Sequence, residues 1–206
     1  MVASWIPKAA GLAYASKLRG DGGVVLCTFG DGSTSKGDFH EGLNFAGIHK
    51  LPVVFVCENN GYAISVPLRL QTGNLDLSAK AAGYGIPGVA VDGTDVPACY
   101  AACQAAVARA RAGAGPTLIE ARIWRINAHT SEDNQAKYRA PEDIEEATRH
   151  DPLLRYEAWL AERGWLSDEQ ARGVRSECDG EAAEAADWAE AQPDPRPEDL
   201  AVNVTA

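Results

Sequence analysis

The chain has 206 residues, of which 46% are hydrophobic and 23% are charged, and it includes 20 glycines and 11 prolines. This composition is typical of one globular domain, or of a domain with a helical extension, and it excludes a disordered, collagen-like or disulfide-scaffold protein. The longest stretch without a charged residue, 96–108, is shorter than the roughly 18 apolar residues of a membrane span. We therefore expect no transmembrane segment and, since no signal-peptide pattern is present, no secretion.

Charge and cysteine content restrict the partners and the compartment. The net charge of −10 is concentrated at the carboxyl end, where residues 177–206 hold nine acidic residues and one arginine. We expect no nucleic-acid partner, because no basic surface is indicated. The acidic tail is interpreted as a solvated face, with a docking surface for a basic partner as the alternative. Five cysteines without a C-x-x-C pair favour a reduced, cytoplasmic chain in which Cys27 and Cys57 pack as small hydrophobic residues.

Apolar runs alternate with helical patterns along the first 124 residues. The predicted elements are a helix over 6–19, a strand over 24–29, a helix through 39–48, a strand over 52–57, a helical stretch near 77–82, a strand over 89–91, a helix over 96–112 and a strand over 117–124. Continuous apolar strands separated by helices are typical of a parallel sheet covered on both faces, so we predict a doubly wound α/β fold. Ligands of such sheets bind outside the carboxyl ends of the strands.

A different pattern follows Trp124. Residues 125–141 are polar and irregular, a loop too long for a simple connector. Helices are predicted over 153–163 and 168–191, the second opened by Ser167 and Gln170 in capping-box spacing. Three prolines then predict an extended tail. We divide the chain into an α/β domain, residues 1–140, and a helical extension with the acidic tail, residues 141–206.

The first loop with chemical character is Gly30-Asp31-Gly32-Ser33, between a strand and a helix. Glycines let the backbone approach a ligand closely, and amides at a helix amino terminus favour an anion such as a diphosphate. An aspartate repels that anion unless a cation lies between them, and Mg²⁺ is bound by one or two carboxylates together with phosphate oxygens. Taken alone, the motif is weak evidence and an ordinary turn is the favoured interpretation, because the same three residues make many ordinary turns.

The second loop, residues 58–62, follows the next buried strand and contains Asn60, 29 positions after Asp31. One helical crossover separates the two strands, so they can be neighbours with both loops at the same edge of the sheet. A carboxylate, an amide oxygen and a backbone carbonyl, completed by phosphate oxygens and water, suit octahedral Mg²⁺. The two loops together predict a magnesium and diphosphate site.

The spacing of Gly30-Asp31-Gly32 and Asn59-Asn60 resembles the thiamine-diphosphate fingerprint. The longer run GDGSTSKGDFHEGLNFAGIHKLPVVFVCENNGYAIS is similar to the α subunit of the E1 component of 2-oxoacid dehydrogenase complexes. The segments NNGYAIS, AAGYGIPGVAVDGTDV and HTSEDNQAKYR most resemble the branched-chain type, and the resemblance continues through DPLLRYEAWLAERGWLSDEQ. It implies the thiamine-diphosphate-binding fold.

The resemblance also implies individual roles. Asp31 and the side chain of Asn60 are expected to bind Mg²⁺ together with the main-chain oxygen of Tyr62. The backbone of Gly30, Gly32 and Ser33 is expected to contact the diphosphate, and Ile64 to line the cofactor channel. His129 matches the catalytic histidine that contacts the diphosphate and assists acyl transfer, a role that suits an imidazole near neutrality.

Further positions follow from the same resemblance. Arg125, Asp133, Tyr138 and Arg139 match residues that organise the loop around His129 through hydrogen bonds and ion pairs. Thr130 stands where animal relatives carry a regulatory phosphoserine; no kinase recognition pattern surrounds it, and we expect it to be unmodified. Glu58 stands where the animal enzyme has a base, so we expect it to weaken cofactor binding slightly or to be turned away.

The implied activity is thiamine-dependent oxidative decarboxylation of branched-chain 2-oxo acids, with acyl transfer to a lipoyl-bearing E2. The implied partners are an E1 β subunit, in an α2β2 assembly, and E2. Members of the family are nearly twice as long, and we expect the front portion to have been cut off or to be supplied by a separate chain. Two alternatives remain open: an α subunit acting on pyruvate or acetoin, and a truncated, non-catalytic cofactor-binding or assembly module.

Overall fold

A four-stranded parallel sheet forms the centre of the first of two compact units, Met1–Tyr156 and Glu157–Ala206. The computed structural model describes residues 2–202. The strands are β1 (Val25–Gly30), β2 (Val53–Asn59), β3 (Tyr62–Ala63), β4 (Val66–Pro67), β5 (Gly88–Asp92) and β6 (Thr117–Arg122). The α-helices are α1 (Trp5–Arg19), α2 (Gly37–Ile48), α3 (Val96–Arg111), α4 (Pro141–Arg149), α5 (Pro152–Glu162) and α6 (Asp168–Glu190).

The spatial order of the large sheet is β1-β2-β6-β5, and all three pairings are parallel. Gly30 lies opposite Glu58, and Asn59 and Asp92 both lie opposite Arg122. The carboxyl ends of all four strands therefore meet at one edge. The loops that follow β1 and β2 are neighbours at that edge, as the sequence predicted.

The core lies on both faces of the sheet because successive side chains of a strand point to opposite sides. On one face, Phe55 of β2 belongs to the cluster that contains Ile6 of α1 and Leu43 of α2. On the other, Val54 packs with Ile119 and with α3. Burying each of these large side chains contributes about 1.5–3 kcal/mol relative to leaving it exposed. The predicted mixed α/β architecture with a parallel sheet is confirmed.

Several elements differ from the predicted ones. The helical stretch near 77–82 is a 3-10 helix over Ser78–Tyr84, and the last strand ends at Arg122. Helix α4 was not predicted; it is a short helix of nine residues that buries only Ala147. The hairpin of β3 and β4 was also missed, since strands of two residues carry no periodic signal. The tail expected to be extended contains a 3-10 helix, Pro197–Ala201.

In the second unit, α6 begins at the capping box that the sequence indicated. The Ser167 hydroxyl accepts the Gln170 N–H at 3.2 Å, and the Gln170 side chain accepts the Ser167 N–H at 2.9 Å. Trp159 and Trp165 make an edge-to-face contact with ring centroids 5.5 Å apart. The predicted division of the chain into an α/β domain and a helical extension at residue 140 stays a prediction. Among residues 2–202, no helix is both long and apolar enough to cross a lipid bilayer.

Candidate functional site

Asp31 is the first residue after β1, and only 1% of its surface is exposed. Burial raises the pKa of its carboxyl group, while hydrogen bonds from the Gln71 amide and the Asn60 backbone, and the charge of Arg125, act in the opposite direction. Gln71 Nε2 donates to Asp31 Oδ2 at 3.1 Å, and the Thr34 hydroxyl donates to the Asp31 carbonyl oxygen at 2.9 Å. A buried carboxylate is thus held in one orientation beside the second loop.

The glycines of the first loop have different surroundings within and before the 3-10 helix Asp31–Ser35. A Cβ at Gly32 would lie 2.7 Å from the Cβ of Ala63, so only glycine allows this loop to approach the hairpin of β3 and β4 so closely. A Cβ at Gly30 would meet no atom within 4 Å. Ser33 is buried. Gly32 therefore brings two segments together, whereas Gly30 leaves open space at the end of the strand.

Two consecutive asparagines shape the second loop. The Asn59 side-chain oxygen accepts the Gly61 N–H, and the Asn60 side-chain oxygen accepts the Tyr62 N–H, both at 3.0 Å. Gly61 has a φ of +78°, which glycine adopts without strain. These Asx turns bend the chain directly after β2, with the Asn60 backbone beside Asp31. Asp31, Asn60 and Tyr62 therefore belong to loops that touch.

Glu120 supports the second loop from the middle of β6. Its side chain is fully buried, and it accepts hydrogen bonds from Asn59 Nδ2 at 2.8 Å, the Ser78 N–H at 2.9 Å and Arg122 Nε at 3.2 Å. Sequence reasoning missed this residue. An acidic residue inside an otherwise apolar strand was the signal that could have found it, because buried carboxylates require partners.

The hairpin carries Ile64 at its tip. Ile64 has a φ of +56°, an uncommon conformation for a β-branched residue, and is 56% exposed. Leu68 N–H donates to the Gly61 carbonyl at 2.8 Å, which closes the hairpin at its base. Arg125 Nη1 donates to the Ile64 carbonyl at 2.9 Å. The strained tip is thus held by the long loop that follows β6.

That long loop places His129 at the surface through a chain of hydrogen bonds. Arg125 Nη2 donates to the Tyr138 hydroxyl at 2.7 Å, and the Tyr138 hydroxyl and the His129 N–H both donate to Asp133. The Tyr138 hydrogen bond, followed by that from His129, lowers the pKa of Asp133. Arg139, 5% exposed, donates to the Arg125 carbonyl at 2.7 Å. The four residues singled out by the resemblance are therefore in one hydrogen-bond network.

An open cavity of about 580 Å³ lies at the same edge of the sheet. Asn60 contributes to its lining, as do Asp92, Arg122, Trp124 and His150. Trp124 and His150 stack with ring centroids 4.7 Å apart and an interplanar angle of 20°. The cavity gives a ligand bound at the second loop room to extend toward β5.

The predicted site residues fall into three groups. The first and second loops meet and bring together Gly30, Asp31, Gly32, Ser33, Asn60 and Tyr62. Ile64 lies at the hairpin tip. His129 is exposed, and hydrogen bonds through Asp133, Tyr138 and Arg125 connect it to that tip. Within the described part of the chain, no three His, Cys, Asp or Glu side chains cluster as a metal site. The proposed ligand set, with one carboxylate, stays a prediction.

Gln71 was the other residue missed. It lies 40 residues after Asp31 in an irregular segment, and no local pattern indicated that it would contact that carboxylate. Glu58 and Thr130, which the resemblance singled out, are both exposed.

Polar loops gather at the carboxyl edge of a parallel α/β sheet, which is where ligands of such sheets bind. The family model described as "Dehydrogenase E1 component" matches residues 1–198, so the chain belongs to this family. The family resemblance stated from the sequence is therefore confirmed.

The chain is also similar to three named proteins. The chain is 47% identical to 2-oxoisovalerate dehydrogenase subunit alpha of Bacillus subtilis, over 96% of this chain and 60% of that protein. It is 44% identical to 3-methyl-2-oxobutanoate dehydrogenase subunit alpha of Mycobacterium tuberculosis, over 87% and 51%. It is 40% identical to the mitochondrial 2-oxoisovalerate dehydrogenase subunit alpha of Homo sapiens, over 95% and 44%. The chain thus spans about half the length of these relatives.

Proposed function

We propose that this chain is the diphosphate- and Mg²⁺-binding part of the α subunit of a thiamine-dependent 2-oxoacid dehydrogenase E1 that acts on branched-chain 2-oxo acids. The names of the relatives support that substrate class. The observation that carries the proposal is the buried Asp31 carboxylate beside the Asn60 backbone, at the ends of two neighbouring parallel strands.

The residues present fit a magnesium ion. Asp31 is 1% exposed, and its hydrogen-bond partners, an amide and backbone groups, are neutral. The charge of Arg125 acts on this carboxyl group, but no lysine or arginine in the described range 2–202 forms a salt bridge with it. A buried carboxylate without a cation is costly, and a hard divalent ion would offset that cost. With the side-chain oxygen of Asn60 and the main-chain oxygen of Tyr62, Asp31 gives the all-oxygen ligand set that Mg²⁺ prefers.

The surrounding groups would hold the rest of the cofactor. Thiamine diphosphate, on which E1 dehydrogenases generally depend, supplies an electron sink for the loss of CO₂ from a 2-oxo acid. Open space at Gly30 and the backbone of Gly32 and Ser33 would accommodate the diphosphate, and Ile64 would line the cofactor channel.

His129 would do the acid-base work of this chain. Its backbone N–H donates to the Asp133 carboxylate. Its exposed imidazole would donate to the diphosphate and transfer a proton during acyl transfer to lipoyl-E2. We place the chain in the cytoplasm, in an α2β2 assembly with an E1 β subunit that serves E2.

Steady-state kinetics test the substrate class. We expect the native assembly containing this chain, supplied with lipoyl-E2, to show a higher kcat/KM for 3-methyl-2-oxobutanoate than for pyruvate. A large preference for pyruvate would instead assign the chain to a pyruvate-type E1.

Calorimetry tests whether the chain serves a cofactor at all. The native assembly should bind thiamine diphosphate only when Mg²⁺ is present. An assembly that forms normally but takes up no cofactor would identify the chain as a non-catalytic assembly module.

A further inference from the structure

We infer that Gln71 is a positioning residue for the divalent cation: it fixes the Asp31 carboxylate and ties it to the hairpin that contains Tyr62, without neutralising its charge. The inference rests on the proposed function. It concerns a residue that lies outside both sequence motifs and that contacts the cation only through Asp31.

The Gln71 side-chain amide donates two hydrogen bonds. Gln71 Nε2 lies 3.1 Å from Asp31 Oδ2 and 2.9 Å from the Val66 carbonyl oxygen. An amide nitrogen has two hydrogens, so both are used, one on the carboxylate and one on β4. Because both partners can only accept, the amide has one orientation in which these contacts are made.

The Gln71 side-chain amide connects two segments of the chain. Asp31 follows β1, whereas Val66 pairs with Ala63 in the hairpin, next to the pairing of Tyr62 with Pro67. The Ser35 hydroxyl also donates to the Gln71 carbonyl at 3.4 Å, and Gly32 packs against Ala63. Gln71 therefore connects the segment that contains the Asp31 carboxylate to the segment that contains the main-chain oxygen of Tyr62.

The Gln71 side chain is neutral, and this affects the charge that Asp31 offers to a cation. At a site where Asp31 is 1% exposed, charges are weakly screened by water. A lysine or arginine donor here would form a salt bridge with Asp31 and compete with the cation. A neutral amide orients the carboxylate and leaves its full negative charge available. Residues that orient metal ligands in this way typically affect metal affinity 10–100-fold.

The test compares two variants in the native assembly, with saturating thiamine diphosphate. The dissociation constant of Mn²⁺ is measured by electron paramagnetic resonance as a substitute for Mg²⁺. Gln71→Lys keeps a donor and adds a charge, and should weaken Mn²⁺ binding about 100-fold. Gln71→Met removes the donor without adding charge, and should weaken it about 10-fold. The matched control Gln104→Lys makes the same charge change on an exposed position of α3 and should leave the constant unchanged.

Thermal unfolding without metal separates positioning from structural support. If Gln71 were merely structural, the two variants would lose cation affinity in proportion to their loss of unfolding temperature. The inference requires Gln71→Lys to bind the cation more weakly than Gln71→Met at comparable unfolding temperatures. If Gln71→Lys does not fold, Gln71→Met alone decides, and unchanged Mn²⁺ affinity in that variant overturns the inference.

The failures of the two proposals can be distinguished. Unmodified assembly that binds no Mn²⁺ with thiamine diphosphate overturns the proposed function, and the inference with it. If the unmodified assembly binds Mn²⁺ normally and the two Gln71 variants bind it with the same affinity as each other, only the inference about Gln71 is overturned.

Discussion

Glu120 is the clearest case in which one side chain supports a loop of the site from within the sheet. It is fully buried and accepts from Asn59, Ser78 and Arg122. Since Asn59 in turn accepts the Gly61 N–H, the conformation of the second loop depends on this carboxylate. Glu120 lies outside the sequence motifs, yet it helps to determine the geometry of Asn59, which lies within one.

Replacing Glu120 by alanine should leave the Asn59 amide and the Ser78 N–H buried without partners. We expect a loss of about 2–6 kcal/mol in the free energy of unfolding, because each of the two unsatisfied buried donors costs about 1–3 kcal/mol. Urea denaturation followed by circular dichroism measures it. The control Glu184→Ala, at an exposed position of α6, should change stability little. Equal effects of the two substitutions would contradict this account of Glu120.

Asp21 gives a prediction on pH. Hydrogen bonds from the Ser16 hydroxyl, the Gly23 N–H and Arg19 lower its pKa from 3.8 to about 2. A pKa depressed in the folded state contributes stability that is present above the unfolded value and is lost as the pH falls through the folded one. Asp21 should therefore stabilise the fold above about pH 4 and lose that contribution between about pH 4 and pH 2.

Carboxyl ¹³C NMR titration of Asp21 measures this directly. A midpoint near 2 is expected, and Asp21→Asn should flatten the dependence of unfolding free energy on pH in that range. A midpoint near the ordinary value of 3.8 would show that these hydrogen bonds do not persist in solution.

At the scale of elements, the stability of helix α6 depends on the cap at its amino-terminal end. It has 23 residues, and none of its side chains is buried within this chain. Helical stability in proteins comes mostly from packing of an apolar face, so this helix relies more than usual on local interactions such as the Ser167–Gln170 capping box.

Ser167→Ala should destabilise the first turn of α6 by about 1 kcal/mol, because it removes the acceptor for the Gln170 N–H. Amide hydrogen exchange should become several-fold faster at residues 169–171. Ser176→Ala, at an exposed position within the same helix, provides the control and should leave exchange at the first turn unchanged. Unaltered exchange in Ser167→Ala would show that the capping box does not stabilise α6.

The elements also show how far the sequence can be interpreted. The strands at the centre of the sheet were predictable because β2 begins with the apolar run 53–57 and β6 contains Leu118 and Ile119. Their order along the chain placed both loops at one edge. The hairpin over Tyr62–Pro67 was not predictable, because tertiary hydrogen bonds from Arg125 and Gln71 hold it. Asp31 and Asn60 were found from motif spacing, whereas Gln71 acts across 40 residues and leaves no local pattern.

At the scale of the whole molecule, β1 is one of the two edge strands of the described four-stranded sheet. It pairs with β2 on one side, and Leu26 in this strand is 61% exposed. An edge strand with an exposed apolar side chain is a template for pairing with another chain. We therefore expect the chain alone to be poorly stable or to associate.

Sedimentation velocity should therefore show concentration-dependent association of the chain alone. Leu26→Lys should reduce it, because a lysine on an edge strand opposes strand pairing. Leu12→Lys, at an exposed position of α1, tests whether the effect belongs to the edge strand or to exposed apolar surface in general. Monomeric behaviour at every concentration would contradict the expectation.

The central claim is that Asp31 holds a cation which joins two strand-end loops to a diphosphate. Calorimetric titration of the native assembly with thiamine diphosphate and Mg²⁺ tests it most directly, comparing unmodified protein with Asp31→Asn, which keeps the shape of the side chain and removes its charge. We predict a loss of affinity of at least about tenfold, or ~1.4 kcal/mol. Asp179→Asn, at an exposed position of α6, should bind as the unmodified protein does. Undiminished cofactor binding by Asp31→Asn would contradict the account.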